Sequence, residues 1–155
     1  MHYMVRILSQ GTSRKEAYEN AVSYADSLVE QGDFDYHYGE HSKTYELTSA
    51  VGKRAVEGAL AANRRAFDDA IQVARLMLER YTDEQIYTDN YPDDGRDYYA
   101  SRWQFSQVGD GHCYLYADLS GDQGIWSGKV SNDCEYQLAI AERDNVYVTP
   151  IGFHN

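Results

Sequence analysis

His37-Tyr-Gly-Glu40-His41 spells H-x-x-E-H. On a helix that spacing sets two imidazoles one turn apart with a carboxylate beside them. Those are the ligands and general base of a zinc hydrolase. Two features oppose that context here. Gly39 interrupts the motif, and the preceding Asp33-Phe-Asp-Tyr-His37-Tyr alternates as a strand does. A looser set needs only alternation, which puts Asp33, Asp35 and His37 on one strand face with His41 nearby. The enzymatic alternative is thus a small metal-dependent hydrolase centred on His37, Glu40 and His41, with Asp35, His37 and His41 as ligands. The principal expectation is a non-catalytic chain with no cofactor and with no transition metal on His37 and His41.

Other reactive types are sparser. His112 and Cys113 are neighbours, so on a strand they point to opposite faces and cannot form a nucleophile–base pair. Ser120-Gly-Asp-Gln-Gly124 and Asp93-Asp94-Gly95 resemble pieces of calcium loops but lack the closing glutamate. Two cysteines, Cys113 and Cys134, make no disulfide framework. A reducing cytoplasm is the simplest setting. The opening residues carry no signal-peptide pattern and no run is long enough to span a membrane.

Tyrosine is the more telling residue. There are 15, grouped as Tyr36/Tyr38/Tyr45, Tyr87/Tyr91/Tyr98/Tyr99 and Tyr114/Tyr116. Displayed tyrosine favours binding, because it offers a large rigid contact and a hydroxyl. The net charge is −11, of which −9 falls in residues 83–155. That balance argues against nucleic-acid binding, which needs cations to displace counterions. It suits a protein partner with a basic surface. The expected partner-binding residues are Tyr87, Tyr91, Asp93, Asp94, Tyr98, Tyr114 and Tyr116.

These residues must be held by something. From Ala50 to Tyr81 the chain repeats every eleven residues: Lys53, Arg64 and Arg75 share one column, and Val56, Phe67 and Leu78 another. Eleven residues make three helical turns, so a column runs almost straight along a helix. The pattern predicts one unbroken helix from Ser49 to Tyr81 with Phe67 and Ile71 most buried. At about 1.5 Å per residue it would reach about 48 Å. A compact domain of this size measures about 40 Å across. The overhang and the apolar stripe predict a homodimer using Val56, Ala59, Leu60 and Ala70.

Around this helix the chain reads as strand (His2–Ser9), helix (opened by Ser13-x-x-Glu16, closed at Gly32) and strand (Asp33–Tyr38). This is a β-α-β-like start. Thr82-x-x-Gln85 opens a further short helix, and residues 87–98 read as a loop. From Tyr99 the period becomes two. Tyr99–Val108, His112–Leu119, Ile125–Ser131, Cys134–Ala141 and Val146–Ile151 read as strands, with a short helix the alternative for Cys134–Ala141. The fold class is α+β in a single domain, residues 1–155: an antiparallel meander against one long and one shorter helix. The reading that unites these features is an acidic, tyrosine-rich, non-catalytic interaction module that self-associates and binds a protein, one variant being an inhibitor that mimics nucleic-acid charge. Besides the hydrolase, the alternative is a small-molecule binder between helix and sheet.

Overall fold

A computed structural model describes residues 1–92, 102–111, 113–121 and 124–155. In chain order the elements are β1 (His2–Gln10), α1 (Arg14–Glu30), β2 (Tyr36–His37), a single 3-10 turn (Gly39–His41), β3 (Tyr45–Glu46), α2 (Ala50–Arg80), α3 (Asp83–Thr88), α4 (Arg102–Asp110), β4 (Leu115–Gly121), β5 (Gly124–Lys129), α5 (Asp133–Ile140) and β6 (Val146–His154). The fold is α+β. Contacts group the chain into two compact units, residues 1–63 with 113–155, and residues 64–112. Among the described residues no helix is long and apolar enough to cross a membrane.

The first unit is built on one sheet of order β2-β6-β1-β4-β5, with β3 also on β6. The sheet is mixed rather than antiparallel throughout: β1 and β4 run parallel, and the other pairs are antiparallel. The β-α-β start is a split one. β2 runs in the direction of β1, but β6 lies between them.

Both faces of the sheet carry core. On one, Tyr3, Val5 and Ile7 of β1 and Ile151 and Phe153 of β6 pack on Ala21, Ala25 and Leu28 of α1. On the other, Leu8, Leu115, Ala117, Leu119 and Val148 pack on Val56 and Ala59 of α2 and Ala139 of α5. A strand covered on both sides reads as a continuous apolar run, as Val5 to Leu8 nearly does.

α2 is unbroken, as the repeat predicts. Ser49 opens it by accepting the Gly52 N–H on its Oγ at 3.0 Å. Gly52 is needed there, because a Cβ would collide with the Glu46 carbonyl oxygen. Asn63 is buried on the helix and spans two strand ends. Its Nδ2 donates to the Val130 carbonyl at 2.9 Å, and its Oδ1 accepts the Tyr114 N–H at 2.7 Å. Phe67 departs from expectation and is exposed, with Ile71 half-buried.

Two expected strands are helices. The run Cys134–Ala141 falls in α5 up to its C-cap at Ala141, because Asn132 accepts the Glu135 N–H at 3.0 Å while Glu135 accepts the Ser131 N–H at 2.6 Å. That reciprocal cap nucleates a helix whatever the alternation that follows. The run Tyr99–Val108 falls mostly in α4, with residues 99–101 outside the described set. Short runs satisfy both periods. Within the second unit Phe105 packs with Met77 and Tyr81, the buried pair of a small cluster that also takes in Val73, Ile86 and Tyr91.

Candidate functional site

The insertion of β6 between β1 and β2 brings distant residues into register. His154 pairs with His2 on one side and with Tyr36 on the other. Side chains of paired residues share a face. The face that carries Leu8 and Val148 under α2 therefore continues toward the other strand ends as Met4 and His2 of β1, Gly152 and His154 of β6, and Tyr36 of β2. Along it Met4 is 50%, Tyr36 43% and Tyr38 52% exposed.

The rings on this strip hold one another. Tyr36 stacks on His154 with centroids 4.8 Å apart and planes 9° apart, and meets Tyr38 edge-on at 5.2 Å. The two phenol oxygens are hydrogen-bonded at 3.0 Å. His2 meets His154 edge-on at 5.1 Å, and Asp35 lies 3.3 Å from Nδ1 of His154. Beside these rings is an open groove of about 550 Å³, lined by His2, Met4, Tyr38, His41, Pro150 and Gly152 among others. Aromatic edges and faces, a thioether and imidazole N–H groups suit the binding of another molecule's side chains.

The structure sends the candidate metal ligands three ways. Asp35 is held by His154. His37 faces α1, where its Nε2 is 2.8 Å from Asp26 and its Nδ1 accepts the Gly39 N–H at 3.0 Å. That bond puts the proton on Nε2 and leaves neither ring nitrogen with a lone pair for a metal. His41 lines the groove. Glu40 is exposed on the 3-10 turn, so the H-x-x-E-H residues do not share a helix face. Among the described residues no group of three or more His, Cys, Asp or Glu could hold a metal ion.

The expected partner-binding residues also separate. Tyr116 is buried against α1, and Tyr114 is half-buried. Strand alternation does not display them, because both faces of β4 are covered. Tyr91 packs its ring on Tyr81 at 4.5 Å, while Tyr87 is exposed. Asp93, Asp94 and Tyr98 lie outside the described residues. Of the expected dimer positions, Val56 and Ala59 are spent in the core beneath the sheet, Leu60 packs beside them, and Ala70 is buried.

A polar cluster lies on the α1 side of the sheet. Ser127 of β5 pairs with Asp118 of β4, and its hydroxyl lies near both the Asp118 carboxyl and the Tyr24 phenol. Burial pushes the Asp118 carboxyl above the usual carboxylate range, opposed by the Ser127 hydrogen bond. Burial likewise raises the Tyr24 phenol. Burial pushes the Cys113 thiol up too, and its Sγ donates to the Leu115 carbonyl at 2.9 Å, so it is an inert core group.

No protein-family model, no curated protein and no solved structure matches this chain. Sequence reading noted the Tyr36/Tyr38 pair but not His2, Met4, Arg6 or His154 as its companions. The one available signal was alternation in the first and last strands, and alternation names no partner strand.

Proposed function

We propose that this chain is a non-catalytic protein-binding module of a reducing cytoplasm, and that its binding surface is the Tyr36–Tyr38–His154–His2 strip with the adjoining groove. One observation carries the reading: Met4, Tyr36 and Tyr38 are about half exposed on the same sheet face that elsewhere forms core. Large side chains displayed side by side on a rigid sheet lose little entropy when they are covered. The net charge of −11 favours a partner with basic flanks around whatever enters the groove. No cofactor enters this reading. A photo-crosslinking amino acid in place of Tyr38 should capture one recurring protein, and the same group in place of the exposed Ser23 should not. Equal capture from both positions, or none from Tyr38, would sink it.

A second reading, self-association, is favoured by exposed apolar side chains in the second unit. Phe67, Leu76 and Leu78 all stand open on α2. They replace Val56 and Ala59, which the sheet already uses, as the surface a second copy would cover. Sedimentation across a salt series tests it: added salt should tighten the dimer by screening like charge. A strict monomer at high micromolar concentration in both low and high salt rules it out.

A further inference from the structure

Arg6 stands next after Met4 on the groove-bearing face of β1, opposite Pro150 of β6 and Leu115 of β4. Its Nη1 donates to the Met4 carbonyl at 2.6 Å, but its Nε is buried with no acceptor. Among the described residues no carboxylate pairs with it. Burial also draws the guanidinium pKa below its ordinary value. This is unexpected in a chain of 25 acidic and 14 basic side chains. A half-buried cation normally finds an anion, and a buried donor normally finds an acceptor. The neighbouring groove is just as unusual for so acidic a protein, since none of its lining residues carries a carboxylate. The carboxylate closest in sequence to the aromatic strip, Asp35, is taken by His154.

We propose that the groove takes a short segment of a protein partner that carries a carboxylate beside an aromatic side chain. The carboxylate meets the Arg6 guanidinium and the imidazole N–H groups of His2 and His41. The aromatic ring lies against Tyr38 and Met4, over Gly152, which has no side chain to exclude it. A guanidinium is weakly hydrated and forks to match a carboxylate, so it is the cation suited to wait unpaired at such a place. The inference rests on the strip being a binding surface and adds the chemistry of its occupant.

Three labelled hexapeptides separate the two claims: glutamate alternating with phenylalanine, glutamine with phenylalanine, and lysine with phenylalanine. Each is titrated into the isotope-labelled full chain while the Tyr38 and Gly152 amide signals are followed. The glutamate peptide should move both signals and bind about tenfold more tightly than the glutamine peptide, an advantage that fades with added salt. Arg6→Met should erase that advantage without weakening the glutamine peptide, and should leave the fold intact because it removes an unsatisfied donor. Arg6→Lys, which keeps charge but loses the fork, should fall between and serves if Arg6→Met does not fold. Gly152→Val should weaken all three peptides, its new Cβ meeting only Tyr38, at an ordinary 3.5 Å. Equal binding of the glutamate and glutamine peptides, or an advantage that survives Arg6→Met, overturns the anionic occupant and leaves the binding surface standing. If no peptide moves Tyr38 or Gly152 the occupant is wrong as well, and crosslinking from Tyr38 then decides whether the strip binds anything.

Discussion

Val56 and Phe67 occupy the same place in successive repeats of α2, yet the first is 2% exposed and the second 45%. The helix is the same, and so is its period. The neighbours differ. Val56 lies in the first unit, against Leu8 and Val148 of the sheet, whereas Phe67 lies in the second, whose described core is one small cluster around Met77 and Tyr81. Periodicity dictates a helix and names its faces. Which stretch of a face is buried depends on elements far away in sequence.

Asn63 closes the part of α2 that belongs to the first unit, and replacing it should give the largest effect. Asn63→Ala leaves the part-buried Tyr114 N–H without its acceptor and the buried Val130 carbonyl with only a long contact from Cys113 Sγ. The expected loss is about 2–4 kcal/mol in urea melts. A loss under about 1 kcal/mol would mean that water replaces the amide and that the helix is held by apolar packing alone.

Two glycines sharpen the comparison within one half of the helix. Gly52→Ala drives a methyl into the Glu46 carbonyl and should destabilise by about 1–3 kcal/mol. Gly58→Ala meets nothing within 4 Å and should stabilise by about 1 kcal/mol through helix propensity. Opposite signs for one substitution, six residues apart, separate packing from propensity. The same sign at both sites would show that close approach at Gly52 is unimportant.

Phe67→Ala should have the smallest effect, under about 1 kcal/mol, where a buried phenylalanine would lose about 3–5 kcal/mol. The same variant should shift sedimentation toward monomer if α2 is covered by a second copy. A large loss of stability with unchanged sedimentation would mean that Phe67 is covered by its own chain.

Local signals were the legible ones. The repeat foretold α2 to within a residue at each end, and Ser13 and Thr82 marked where α1 and α3 begin. The cap at Asn132 and Glu135 is an equally local signal, but it went unread beside a period-two count over too few residues. The parallel pairing of β1 with β4 was not legible, since nothing in either strand encodes the other's register. The candidate site was illegible for the same reason. Tyr36 and His154 become neighbours only because β6 enters between two strands that a short β-α-β reading would place side by side. The H-x-x-E-H run shows the converse, a complete local motif that a strand and a 3-10 turn pull apart.

The place of β6 also bears on how the chain is made. Tyr3 pairs with Phe153, and Leu8 with Val148, so the central pairing of the sheet joins its earliest and latest strands. During synthesis Val5, Ile7 and Leu8 leave the ribosome long before the strand that will flank them. Contacts so far apart in sequence close slowly, because a long loop must be ordered before they form. For that interval β1 presents an apolar, unpaired edge, the kind of segment that chaperones shield.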